Sequence, residues 1–545
     1  MLPLLRLALL SNLFFLIGAT GQLHAQPSPT SREWFLLDPT TDQVQGISVE
    51  KAYSELLKNR PSVPVTVAII DSGIDIDHED LKAVIWTNTK EIPDNGVDDD
   101  KNGYTDDVHG WNFIGGKGGE VDADSYELTR EFVRLDKKYG SLPENKVPGK
   151  QRKEYEAYKK IKDKFTRLRA ENQSEYEYYL KLNKSLAVSM DTLKAVLKTD
   201  HLTKGAIDSF RSTNPTLSFA KGFTRLMLRN AGEDADLEQI KKDLQEAVDH
   251  YRIIVEYGYN TEFDSRLMIG DNYDNPLEHH YGNNHVKGPE PSHGTHVAGI
   301  IGADRSNEIG IKGIAANVRI MVVRAVPNGD ERDKDIANAI RYAADNGARI
   351  INMSFGKSLS PNKAVVDEAI AHAERKGVLF IHGAGNEKQD NDKEGNFPTR
   401  KYNNGKEAKA WLEVGATAAG TDKNFVADFS NYGKKSLDVF APGVDIYSTV
   451  PNNGYEEKSG TSMAAPVVSG IAALIWSYFP DFTAVEIADI IKSSTRKFDG
   501  LKVNKPGGGE AEFSDLSNTG GLVNAFEAVR LALDRQSQKV GQSRK

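Results

Sequence analysis

VTVAIIDSGID, residues 65–75, decides the fold. From Val65 to Ile70 every side chain is apolar or β-branched, so the run has no water-facing side and reads as a buried strand of a parallel sheet covered by helices. Asp71 follows at its carboxyl end, with Ser72 and Gly73 supplying a turn; open α/β sheets place their sites at that edge. Comparable runs recur as VRIMVVRAV (318–326), ARIINMSF (348–355), GVLFIHGAG (377–385), WLEVGAT (411–417) and SLDVFAPG (436–443). They alternate with helical stretches over 61–115 and 290–480, the pattern of βα units. The expected fold class is α/β, a mostly parallel sheet with helices on both faces, interrupted by an α-helical insertion.

The interruption is legible by composition. Lys150 to Lys204 holds no glycine or proline, and Tyr179, Leu182, Leu186, Met190, Leu193 and Leu197 recur at three-to-four spacing, which predicts a long amphipathic helix. A second helical stretch, Asp236 to about Val255, lines up Leu237, Ile240, Leu244, Val248 and Tyr251. Ahead of the sheet, Arg6, an apolar run from Leu7 to Ile17 and a small-residue site ending at Ala25 match a secretory signal peptide. The expected organisation is a signal peptide (1–25), an N-terminal arm (26–61), a first α/β part (62–119), the helical insertion (120–261), a second α/β part (262–535) and a tail (536–545). Export, to the medium or the periplasm, is the expected destination.

Composition narrows the function classes. With 39% apolar residues and 21 prolines in 545, the chain is globular. A net charge of -9 and a pI near 5.8 oppose nucleic acid as the main partner, because neutralising phosphate needs a basic face. There is no cysteine, hence no disulfide framework and no lipid-bearing thiol. GGKGG at 115–119 lacks the strand, spacing and Ser/Thr of a phosphate loop.

Two further blocks carry nucleophile-type chemistry. In SHGTHVAGI (292–300), His293 opens a helix whose Gly294, Ala298 and Gly299 allow close approach to the sheet. His296 competes with it as a base, and the pair could also read as metal ligands, although no Cys or HExxH pattern supplies further donors. In SGTSMAAPVVSG (459–470), Ser462 sits at the start of a helix with Pro466 in the first turn. A nucleophile, a base and an orienting carboxylate are what acyl transfer needs. Asn386, after Gly383, Ala384 and Gly385, offers an amide that can donate alongside the Ser462 backbone N–H to a developing oxyanion. Taken singly, Asp71 also reads as a turn cap, Ser462 as a helix N-cap and Asn386 as a turn residue.

The blocks in the order Asp, His, Ser, with the Asn segment between the last two, resemble the subtilisin-like (subtilase) serine proteases. The resemblance covers roughly 62–115 and 264–530. It implies a serine endopeptidase acting on protein or peptide substrates, in which Asp71 orients the imidazole, His293 is general base and then acid, Ser462 is the nucleophile and Asn386 the side-chain oxyanion donor. It further implies a pocket walled by Ser354, Phe355 and Gly356 on one side and Gly383, Ala384 and Gly385 on the other, suited to apolar or aromatic side chains. DFSNYG (428–433) and FAPGVDIYST (440–449) are similar to other segments of the family. The sequence departs from the family by the 222 positions between Asp71 and His293. Where the family carries a folded pro-domain, Gln26 to about Val63 reads as an arm. The competing reading of the whole is a catalytically silent subtilase scaffold that binds peptides or a partner.

DNGVDDDKNGYTDD (94–107) sets Asp98, Asp100 and Asn102 at alternate positions before Gly103, the spacing of an EF-hand-like calcium loop. Tyr104 would add a carbonyl and Asp106 a direct or water-mediated contact. His109 stands where a bidentate Glu is expected. Calcium, in a structural role, is the cofactor expected.

Overall fold

A computed structural model of the chain describes residues 32–232 and 235–543; the expected signal peptide lies outside them. Nine strands form one sheet: β1 (Val65–Asp71), β2 (Gly110–Asn112), β3 (Val318–Arg324), β4 (Ile350–Met353), β5 (Leu379–Gly383), β6 (Trp411–Thr417) and β7 (Val439–Pro442), then, after a separate hairpin of β8 (Ile446–Val450) and β9 (Gly454–Lys458), the two-residue β10 (Arg496–Lys497) and β11 (Gly521–Leu522). Their order is β10-β11-β7-β6-β5-β4-β1-β3-β2, and every neighbouring pair is parallel except β10 with β11. The expected α/β class is what the chain adopts.

Alternation along β1 sends successive side chains to opposite faces. Val67 and Ile69 join a core built with α1 (Ser292–Gly302), α4 (Thr461–Tyr478), α5 (Ala484–Ser493) and α6 (Ala525–Ser543). Ala68 and Ile70 join one built with α2 (Asp333–Asp345) and α3 (Lys363–Arg375). Both faces are therefore dry, which is why the strands carry no polar stripe. Among the described residues α4 is the one helix long and apolar enough to cross a membrane, and it lies mostly buried in the core. The arm reaches this core through Trp34, Phe35 and Leu36, all buried, with Trp34 Nε1 donating to the Asp445 carbonyl (3.2 Å).

The chain divides into two compact units, and the sheet unit takes in Pro29–Glu127 and Asp264–Lys545. Residues 120–127, counted with the insertion by composition, pack with the sheet. Arg332 donates to both Asp124 oxygens (2.7 and 3.0 Å), and the Glu127 carboxylate meets Lys357 (2.7 Å). The second unit, Leu128–Phe263, is helical. Its 46-residue helix, Arg152–Leu197, buries Tyr179, Leu186, Met190 and Leu193 in one cluster with Leu237, Ile240, Leu244 and Val248 of the helix Leu237–Ile253. Asp236 caps the latter by accepting the Gln239 N–H (3.2 Å).

Candidate active site

The carboxyl edge of the sheet gathers the three blocks. β1 ends at Asp71, β4 at Met353 just before Ser354, and β5 at Gly383. Asp71 is buried, and its Oδ1 accepts from His293 Nδ1 (2.7 Å) and from the Ser72 N–H (2.8 Å). The His293 side chain is 39% exposed. Gly294 makes this approach feasible: a Cβ there would lie 2.2 Å from the Gly73 carbonyl and 3.2 Å from Asp71 Oδ1. The competitor, His296, points elsewhere. It is buried, its Nε2 donates to the Glu456 carbonyl (3.1 Å), and burial pulls its pKa down to about 3, so the ring is neutral.

Ser462 lies half-buried in the first turn of α4, where the helix dipole is positive. Its Oγ donates to the Ser354 carbonyl (2.9 Å), and Ser354 Oγ returns a bond to the Ser462 carbonyl (2.9 Å). Ser469 and Asn352 extend the link, Ser469 Oγ donating to Asn352 Oδ1 (2.8 Å) and Asn352 Nδ2 to Ser354 Oγ (3.0 Å). Start of α4 and end of β4 are thus fixed to each other. Among the described residues His293 and Ser462 share no hydrogen bond; the hydroxyl rests on Ser354 instead.

Asn386 is oriented by Thr461, whose N–H (2.9 Å) and Oγ1 (3.1 Å) both donate to its Oδ1. That leaves Nδ2 directed outward. A Cβ placed on Gly460 would lie 3.6 Å from Ser462 N and 3.7 Å from Asn386 Nδ2, so the two donors border one small space. Gly385, at φ +101°, supplies the left-handed turn into Asn386, and a Cβ there would meet Asn431 Nδ2 at 2.4 Å.

Ser354, Phe355 and Gly356 follow Met353, and Gly383, Ala384 and Gly385 follow His382, just past the last pair of β4 with β5. Sequence reasoning missed Asn396, which spans the two: its Nδ2 donates to the Gly383 carbonyl (3.1 Å), and a Cβ on Gly356 would lie 2.2 Å from its Oδ1. No local pattern marks it, because its role depends on where a long loop returns. Lys357 is buried, its ammonium held by Glu127 (2.7 Å), Asp333 (2.8 Å) and the Glu331 carbonyl (2.8 Å).

In the acidic loop the structure brings Asp98 and Asp100 together with Glu91, one ligand-capable oxygen from each lying within 4.8 Å of the others. Glu91 lies outside the motif and was not expected. Asn102, Tyr104 and Asp106 lie outside that trio and have the following contacts. Asn102 Nδ2 donates to Asp107 (3.0 Å), the Tyr104 ring packs on Trp111, and the Asp106 carboxylate accepts the N–H groups of Asn95 (3.2 Å) and Gly96 (2.9 Å).

The chain matches the subtilase family model over residues 64–514. It is 41% identical over 210 residues to the thermophilic serine proteinase of Bacillus sp. (strain AK1), covering 38% of this chain and 48% of that one. It is 37% identical over 239 residues to alkaline elastase YaB of Bacillus sp. (strain YaB), covering 44% and 55%. To subtilisin Savinase of Lederbergia lenta it is 36% identical over 203 residues, covering 37% and 69%. The chain spans about half the length of the first two. Since the family match begins at the residue before β1, runs through β4, β5 and α4, and includes the stretch of the helical unit, this chain belongs to the subtilase family.

Proposed function

We propose that the chain is an exported serine endopeptidase that hydrolyses peptide bonds through an acyl-enzyme on Ser462. The observation that carries this reading is the 2.7 Å bond between His293 Nδ1 and Asp71 at the end of β1, together with Ser462 N and Asn386 Nδ2 both bordering the space beside Gly460. Asp71 holds the imidazole with Nδ1 protonated, so Nε2 is the basic nitrogen. When substrate enters, the Ser462 hydroxyl leaves the Ser354 carbonyl and gives its proton to His293 as Oγ attacks the scissile carbonyl carbon. The negative oxygen that forms accepts from Asn386 Nδ2 and Ser462 N. His293 then protonates the leaving amine, and water repeats the sequence to free the acid. The small residues of the two walls support a preference for an apolar or aromatic side chain before the cut, and the signal-peptide reading of residues 1–25 supports export.

Calcium fits the acidic loop by donor chemistry. Glu91, Asp98 and Asp100 supply hard oxygens, and three carboxylates so close repel one another unless a cation is bound. These residues would hold it as a structural ion bracing the loop ahead of β2. Chelation is expected to lower the thermal midpoint, because calcium at one hundred times its Kd adds about 2.7 kcal/mol to the folded state. Equal midpoints with and without chelator would remove the ion from the account.

Asn386→Ala is expected to lower kcat by about 10²–10³ with KM little changed, the magnitude known for the same loss in subtilisin, a member of this family. A fall in kcat under threefold would rule out the oxyanion role. The overall reading is tested by digesting a proteome-derived peptide library with the chain lacking residues 1–25. Internal cuts after apolar or aromatic residues are expected. A library left intact by the folded protein in calcium would favour the silent binding scaffold.

A further inference from the structure

The β4–β5 ladder ends at the pair Met353↔His382. Both pocket walls start just beyond that pair, where no ladder bond holds them together. His382, fully buried, closes this gap. Its Nε2 lies 2.8 Å from the Phe355 carbonyl, in the middle of one wall, and the next residue in the chain is Gly383, the first of the other. Its Nδ1 lies 2.9 Å from Oε1 of Glu413, the residue paired with it on β6.

The protons on this ring follow from its partners. A carbonyl only accepts, so Nε2 carries hydrogen. Glu413 Oε2 accepts from Trp411 Nε1 (2.9 Å), and Oε1 is left to accept from Nδ1, so a carboxylate at Glu413 requires hydrogen on Nδ1 as well. Burial works against a charged ring, but Glu413 outweighs it and the His382 pKa is raised. Among the other charged groups nearby, Glu331 adds a smaller push in the same direction. Burial pushes the Glu331 carboxyl up to about 8, with the Lys357 ammonium close to it. Behind Glu413, Arg400 pairs with Asp438, whose Oδ2 accepts the Glu413 N–H (2.9 Å). Glu413 is therefore the counter-charge.

We propose that His382, as an imidazolium paired with Glu413, is a positioning residue that clamps the Phe355 carbonyl and sets the spacing of the two substrate walls. This rests on the endopeptidase reading and its pocket. None of the bonds among Asp71, His293, Asn386 and Thr461 passes through His382, so its loss acts on substrate binding and not on the reactivity of Ser462. With a raised pKa, the ring donates to both partners below the ordinary value of 6.5, and as pH rises through the raised value it keeps one proton and can hold only one of them.

Two readouts test it on the chain lacking residues 1–25. In ¹⁵N-histidine spectra at pH 6, below the ordinary histidine value of 6.5, the resonances that vanish in His382→Gln are expected to show both ring nitrogens protonated, and Glu413→Gln to return the buried ring to a neutral form. For a peptide with an aromatic residue before the cut, both variants are expected to raise KM about tenfold, as loss of one charge-assisted hydrogen bond would, with kcat within threefold. Labelling of Ser462 by a small fluorophosphonate should keep its parent rate. A neutral His382 ring at pH 6, or an unchanged KM in folded Glu413→Gln, overturns the clamp. Absence of labelling in the parent chain overturns the endopeptidase reading and with it the role of the walls; the spectra, read without substrate, distinguish the two failures.

Discussion

Ser462→Ala is expected to lower kcat by about 10⁶-fold, the magnitude measured for removal of the nucleophile in subtilisin, a member of this family. Ser462 Oγ makes one bond in the resting chain, to the Ser354 carbonyl (2.9 Å), while Ser354 Oγ continues to hold the Ser462 carbonyl. The start of α4 therefore keeps its anchor when the hydroxyl is removed. The thermal midpoint should move by no more than a degree or two, and KM should stay near its parent value. Burst and steady-state kinetics on a fluorogenic peptide provide the check. A variant retaining more than a hundredth of parent turnover would mean that some other group attacks the peptide.

Asp71→Asn is expected to lower kcat by about 10⁴-fold, as the same exchange does in other enzymes with this triad. The cause is the proton on the imidazole. Asp71 Oδ1 accepts from His293 Nδ1 and from the Ser72 N–H, and a carboxylate serves both. An asparagine whose NH₂ takes the Oδ1 position donates to His293, which then carries its proton on Nε2 and cannot receive one from Ser462. Steady-state rates between pH 6 and 10, with circular dichroism to verify the fold, test this. A drop below tenfold would show that Asp71 only caps the turn after β1.

What the sequence disclosed follows from how far each feature depends on distant parts of the chain. β1 and β3–β7 were readable because a strand covered by helices on both sides is apolar along most of its length, with no polar stripe. β2, β10 and β11, of two or three residues, are too short to carry any pattern. The helix Arg152–Leu197 was readable from its apolar stripe and its freedom from glycine and proline. Its unit boundary was not, since residues 120–127 are held to the sheet by Arg332 and Lys357, which are over 200 positions away. At the site, Asp71, His293 and Ser462 stand out because each ends an apolar element among small residues. Asn396 between the walls, Glu91 beside Asp98 and Asp100, and the resting bond of Ser462 on Ser354 arise where loops meet, and no spacing announces them. His382 did leave a trace, an ionisable residue within the apolar run VLFIHGAG, but its meaning required Glu413 from the next strand.

The central claim is that a hydroxyl activated by His293 resides at the start of α4. Treating the folded chain with a fluorophosphonate and locating the adduct by peptide mass spectrometry tests it directly. A single adduct on Ser462, absent in Ser462→Ala and slowed at least a thousandfold in His293→Ala, is the expected result. Modification of another residue with Ser462 untouched, or equal labelling without His293, would contradict it.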